Sequence, residues 1–62
     1  MPEWFLIFIL ITPGHEPVTI RHKEPLTEAQ CWPVGKLDGE RMSRAMPGTI
    51  VSWTCIAAGE AV

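Results

Sequence analysis

The run Trp4-Phe-Leu-Ile-Phe-Ile-Leu-Ile11 constrains this chain more than any other feature, because consecutive large apolar side chains must find cover on every side. A membrane helix needs about 20 apolar residues, far more than this run supplies. A secretory signal needs a basic start, a longer apolar stretch and a small-residue cleavage site. Here Glu3 precedes the run and Thr12-Pro13-Gly14 follows it. The expectation is therefore a β-strand buried on both faces, rich in isoleucine and phenylalanine and bounded by turn residues. Proline cannot continue a ladder and glycine accepts turn geometry, so the strand ends at Pro13-Gly14.

From Val18 to Lys23 the chain alternates: Val18, Ile20 and His22 fall on one face, Thr19, Arg21 and Lys23 on the other. That period of two marks a strand with one wet face. Pro17 and Pro25 bracket it, which favours a sheet edge. The two strands read as an antiparallel hairpin, with the first in the middle of the sheet and the second outside.

Thr27-Glu-Ala-Gln30 fits a capping box, in which Thr27 caps the helix start and Gln30 reaches back. The expected inner face of the helix runs through Cys31, Val34, Leu37, Arg41-Met42 and Ala45-Met46. Pro33 costs about 3 kcal/mol inside a regular helix. Gly35 and Gly39 each cost about 1 kcal/mol relative to alanine. One helix with an irregular front end is expected; the alternative is a short first turn before a main helix at 37–46. Pro47-Gly48 stops it. Thr49 to Ile56 is β-branched and aromatic, with Val51, Trp53, Cys55 and Ala57 on one face. It forms a third strand, and a loose tail follows from Gly59.

The order is thus β-β-α-β: an α+β fold with a three-stranded, mainly antiparallel sheet and one helix packed on one face. The third strand returns beside the first through the helical crossover, and the crossover length permits either direction. A chain of 62 residues is one domain, 1–62. At that size only about 60% of the unfolded surface is buried, so the core is marginal.

One helix covers one face of a sheet, yet the first strand is apolar on both. Trp4, Leu6, Phe8 and Leu10 form one row; Phe5, Ile7, Ile9 and Ile11 form the other. The alternation does not decide which row the helix covers, and the first is the candidate interaction surface. Burying one such side chain is worth roughly 1.5–3 kcal/mol, so a bare row is a large unrealised gain, and contiguous apolar patches mark interaction sites. A homodimer joined through sheet faces or edges would cover it. Alternatively the Trp32–Gly35 segment or the tail folds back over it.

The formal charge of -2, with Arg21, Lys23, Lys36, Arg41 and Arg44 interleaved among acids, leaves no basic stripe for nucleic acid. The expected partner is protein, with no membrane and no cofactor. No metal is expected either, since His15, His22, Cys31 and Cys55 lack the close ligand pairs of structural zinc sites. Nothing resembles a nucleophile, base and orienter arranged for hydrolysis, and a domain this small rarely encloses a substrate cleft. Glu40 and Arg44 fit an i, i+4 pair on a solvated helix face. Cys31 and Cys55 are open to three readings: a structural disulfide, two buried free thiols, or a redox pair lacking the usual C-x-x-C spacing.

The segment Met46-Pro-Gly-Thr-Ile-Val-Ser-Trp-Thr-Cys55, with a helix carrying Cys31 and an apolar first strand, resembles short uncharacterised proteins of bacteriophages and prophages. The resemblance brings no activity; it implies a protein that occupies a host or defence protein in the host cytoplasm, an anti-defence inhibitor being one version. The competing expectation is an exported or envelope-associated domain with a Cys31–Cys55 disulfide.

Overall fold

The computed structural model describes residues 3–58. The order is β1 (Trp4–Ile11), β2 (Val18–Arg21), α1 (Glu28–Ala45) and β3 (Ile50–Ala57). The strands form one sheet in the order β2-β1-β3. The direction left open by the crossover is antiparallel: Phe5 faces Ile56, Ile7 faces Thr54, and Ile11 faces Ile50. On the other side Phe8 faces Ile20 and Leu10 faces Val18. The tail from Gly59 lies outside the described residues.

Two turns of the same kind bracket the architecture. Thr12-Pro-Gly-His15 closes with the His15 N–H donating to the Thr12 carbonyl (3.0 Å); Met46-Pro-Gly-Thr49 closes likewise from Thr49 to Met46 (3.1 Å). In each, proline presets the second position and glycine takes a positive φ at the third, 83° at Gly14 and 87° at Gly48. This is the residue logic of a type II turn. The hydroxyls of Thr12 and Thr49 share a 2.8 Å hydrogen bond, joining the two turns at one end of the sheet.

The helix begins as its capping box dictates, with both reciprocal bonds between Thr27 and Gln30 present. It runs unbroken from Glu28 to Ala45 through Pro33, so one helix forms rather than two pieces. Proline here removes the N–H that would bond the carbonyl one turn back. The helix ion pair is Arg41 with Asp38 at 3.9 Å, in place of the expected Glu40–Arg44.

The face that α1 presents to the sheet is made of Cys31, Gly35 and Gly39, all buried. The expected apolar stripe is only partly used, and Leu37 is exposed. The reason is Trp53: a Cβ on Gly35 would meet its ring at 2.5 Å, and one on Gly39 at 3.0 Å. Small residues let the helix backbone settle directly onto the indole. Trp32 closes over the same ring, centroids 5.2 Å apart and planes tilted by 58°. Leu6, Phe8 and Cys31 form the buried centre, and Trp4, Leu26, Val34, Met42, Val51, Trp53 and Cys55 pack around it. The Cys31–Cys55 disulfide ties the helix to β3 across a sequence separation of 24, with Cα atoms 6.2 Å apart. Closing a loop of that length contributes about 3 kcal/mol.

The helix packs on β1 and β3 and not on β2. Val18 and Ile20, expected to face inward, are therefore exposed. The second strand is also shorter than its alternation suggests. After Arg21 the chain leaves the ladder, then returns at Leu26, which exchanges backbone hydrogen bonds with Trp4 (2.8 and 2.9 Å).

Candidate interaction surface

Antiparallel register places directly opposed residues on the same face of a sheet. Leu6 faces Cys55 and Phe8 faces Trp53, and both partners contact the helix. The row Trp4, Leu6, Phe8 and Leu10 is therefore the covered one, with Leu6 and Phe8 only 0% and 1% exposed. This corrects the assignment of those four residues as an interaction surface. The helix chooses that side because Cys55 and Trp53 lie on it, one bonded to Cys31 and the other seated in the glycine notch.

The open side is the alternate row. Phe5, Ile7, Ile9 and Ile11 run down its centre. From β3, Ile56 stands beside Phe5, Thr54 beside Ile7, Ser52 beside Ile9 and Ile50 beside Ile11. From β2, Arg21 stands beside Ile7 and Thr19 beside Ile9. Among the described residues no helix or strand lies across this face. Phe5, Ile7, Ile9 and Ile56 are half-buried, shielded by their neighbours in the sheet rather than by a second layer. Ile50 is 60% exposed and Ile11 is also exposed. The Trp32–Gly35 segment belongs to α1 and does not fold back over this face; cover by the tail falls outside the described residues.

The electrostatics of the face are simple. Among the strand residues of the face the charged side chain is Arg21, whose guanidinium lies 5.3 Å from the centroid of the Phe5 ring. That distance is a cation–π contact, worth about 0.5–1 kcal/mol at an exposed site. Thr19, Ser52 and Thr54 add hydroxyls between the apolar side chains. An apolar centre with an arginine and hydroxyls around it matches the anatomy of a protein contact surface.

Elsewhere the residues that might carry chemistry stay apart. Cys31 and Cys55 are in the disulfide. Among the described residues no group of three His, Cys, Asp or Glu side chains converges to hold a metal. His15 lies in the first turn, and His22 places its Nδ1 beside the backbone of Glu24, 2.9 Å from the carbonyl oxygen. Among the described residues no helix is long and apolar enough to cross a membrane.

No family model, curated protein or solved structure matches the chain. The resemblance to prophage proteins draws no support from these comparisons.

Proposed function

We propose that this chain is a small protein-binding module that acts by laying its open sheet face against another protein. One observation carries the reading: Phe5, Ile7, Ile9, Ile11, Ile50 and Ile56 share a face that no helix or strand of the described chain covers. A domain this small gains little from its own core, so leaving such a row bare is costly unless a partner uses it. Occupation of a target protein, as an inhibitor or accessory subunit does, needs only such a surface and no catalytic group.

The test is site-specific photocrosslinking from a benzophenone amino acid placed at Ile9, in the middle of the face, and separately at exposed Lys36 on α1. Adducts with protein chains are expected from position 9, and the additional change Ile7→Asp should remove them. Equal adducts from position 36, or none from position 9, would sink the proposal.

A second reading, an exported or envelope-associated domain, is favoured by the Cys31–Cys55 bond, since disulfides persist in oxidising compartments. It is compatible with the first only if Trp4–Ile11 stays in the folded protein. The strand supplies Leu6 and Phe8 to the core, so a form that sheds it has no fold to export.

A further inference from the structure

The two edges of the sheet are built differently. The β2 edge has four ladder residues, carries Arg21, and lies between Pro17 and Pro25. Short length, charge and flanking proline are the usual guards against strand addition. The β3 edge lacks the first two: Ile50–Ala57 is eight residues long with no charged residue, no proline lies within it, and its nearest, Pro47, sits in the turn before it.

Among the described residues, the unpaired hydrogen-bonding groups of that edge can be assigned. Ala58 donates its N–H to the Glu3 carbonyl at 2.8 Å, in the same register that pairs Phe5 with Ile56 and Ile7 with Thr54. Bonded pairs alternate along an antiparallel ladder. Ile50, Ser52, Thr54 and Ile56 therefore turn their backbone groups towards β1. Val51, Trp53 and Cys55 turn theirs away from it. The opposite side of β1 agrees, since His22 donates to the Leu6 carbonyl at 2.7 Å, an even-numbered position bonding towards β2.

We infer that β3 is a self-pairing edge, and that its occupant is β3 of a second copy. A two-fold axis perpendicular to the sheet at Trp53 sets Trp53 against its own equivalent and Val51 against Cys55 of the other copy. These are the residues whose N–H and C=O groups point outwards, so each finds a partner of the same kind. On the open face the same register sets Ile50 against Ile56 and Ser52 against Thr54, like beside like. Side chains above and below the edge fit this occupant: Trp32, half exposed over Trp53, flanks it on the helix side, and exposed Ile50 flanks it on the other. The product is a continuous six-stranded sheet with both helices on one side and the two apolar faces merged on the other. Pairing at the edge is independent of what docks on that face.

The experiment combines sedimentation equilibrium with amide hydrogen exchange followed by NMR on the intact, oxidised protein. A dimer is expected, with the amides of Val51, Trp53 and Cys55 losing their fast exchange as concentration rises. Ser52, Thr54 and Ile56, bonded to β1, should be protected at every concentration. Val51→Pro removes an outward N–H while leaving the bonds to β1, and a folded Val51→Pro protein should be monomeric. Ile50→Lys, which charges the same edge without touching the backbone, should weaken the dimer in the same direction. A dimer that survives in both folded variants, or whose Val51, Trp53 and Cys55 amides still exchange freely, overturns the edge assignment and leaves self-association standing. A monomer at millimolar concentration overturns the inference altogether; the docking role of the open face is then judged by the crosslinking from Ile9.

Discussion

The indole of Trp53 occupies the space that a side chain at position 35 would need, so that Gly35 and Trp53 are fitted to each other across the helix–sheet interface. A Cβ at Gly35 falls 2.5, 2.8 and 2.9 Å from three atoms of the ring body. The ring is wedged under the helix and beside Trp32, and cannot move aside as a flexible chain end would. At Gly39 the nearest ring atom is 3.0 Å away and the next 3.3 Å, a contact that small adjustments relieve.

Gly35→Ala and Gly39→Ala therefore separate. Both gain about 1 kcal/mol of helix propensity. Overpacking a fitted contact costs typically 1–3 kcal/mol, and Gly35→Ala meets the upper part of that range. The expected outcome is a net loss of about 1–2 kcal/mol for Gly35→Ala and a change near zero for Gly39→Ala. Thermal unfolding followed by circular dichroism decides it; equal melting temperatures for the two variants would show that Trp53 is not held by the notch.

Leu6 and Ile7 are neighbours in sequence on opposite sides of the sheet, and Leu6→Asp and Ile7→Asp should behave as opposites. Leu6 is fully buried, and removing a buried leucine side chain already costs about 2–5 kcal/mol before any charge is added. A carboxylate there has no partner among the apolar side chains of the core, so Leu6→Asp should not fold. Ile7→Asp places its charge on the open face beside Arg21 and should keep the native circular dichroism spectrum. Unfolding of both variants would mean that the open face is covered after all.

Much of this arrangement was legible in the chain, and what was not has a definite cause. The capping box at Thr27, the two Pro-Gly stops and the double-sided apolar run place all four elements, because each is a local signal. Which row of β1 the helix covers depends on register between β1 and β3, and register is a long-range property that alternation alone does not carry. A clue was present: Val51, Trp53 and Cys55 form the more apolar side of β3, and Cys55 can reach a helix cysteine only from that side. The glycines of α1 were counted as a local cost to the helix, whereas the structure uses them as the contact face. The exposure of Val18 and Ile20 follows from where the helix lies across the sheet, which no local pattern encodes.

Pro33 offers a test of the helix itself. It is exposed on α1, so its ring contributes little packing that would be lost on replacement. Pro33→Ala restores a donor to the carbonyl of Ala29 and removes a steric conflict that in a regular helix interior amounts to about 3 kcal/mol. Greater freedom of the unfolded chain offsets about 0.4–1 kcal/mol of this. A net gain of roughly 2 kcal/mol is expected in urea denaturation. A loss would indicate that the proline fixes a local geometry on which Trp32 depends for its contact with Trp53.

The disulfide should dominate the stability of so small a domain. Cys31 is fully buried and Cys55 half-buried against Leu6, so the bond ties the helix directly to the core. The double variant Cys31→Ala, Cys55→Ala keeps small apolar groups at both positions and removes the loop constraint, which should lower stability by about 3 kcal/mol, within the 2–5 kcal/mol typical of small domains. The wild-type protein should lose a comparable amount in the presence of reductant, while the double variant should be indifferent to it. Urea denaturation of both proteins, with and without reductant, reads all four values. If the wild type is as stable reduced as oxidised, the helix is held by the Trp53 notch alone, and the disulfide loses its claim as evidence for an oxidising compartment.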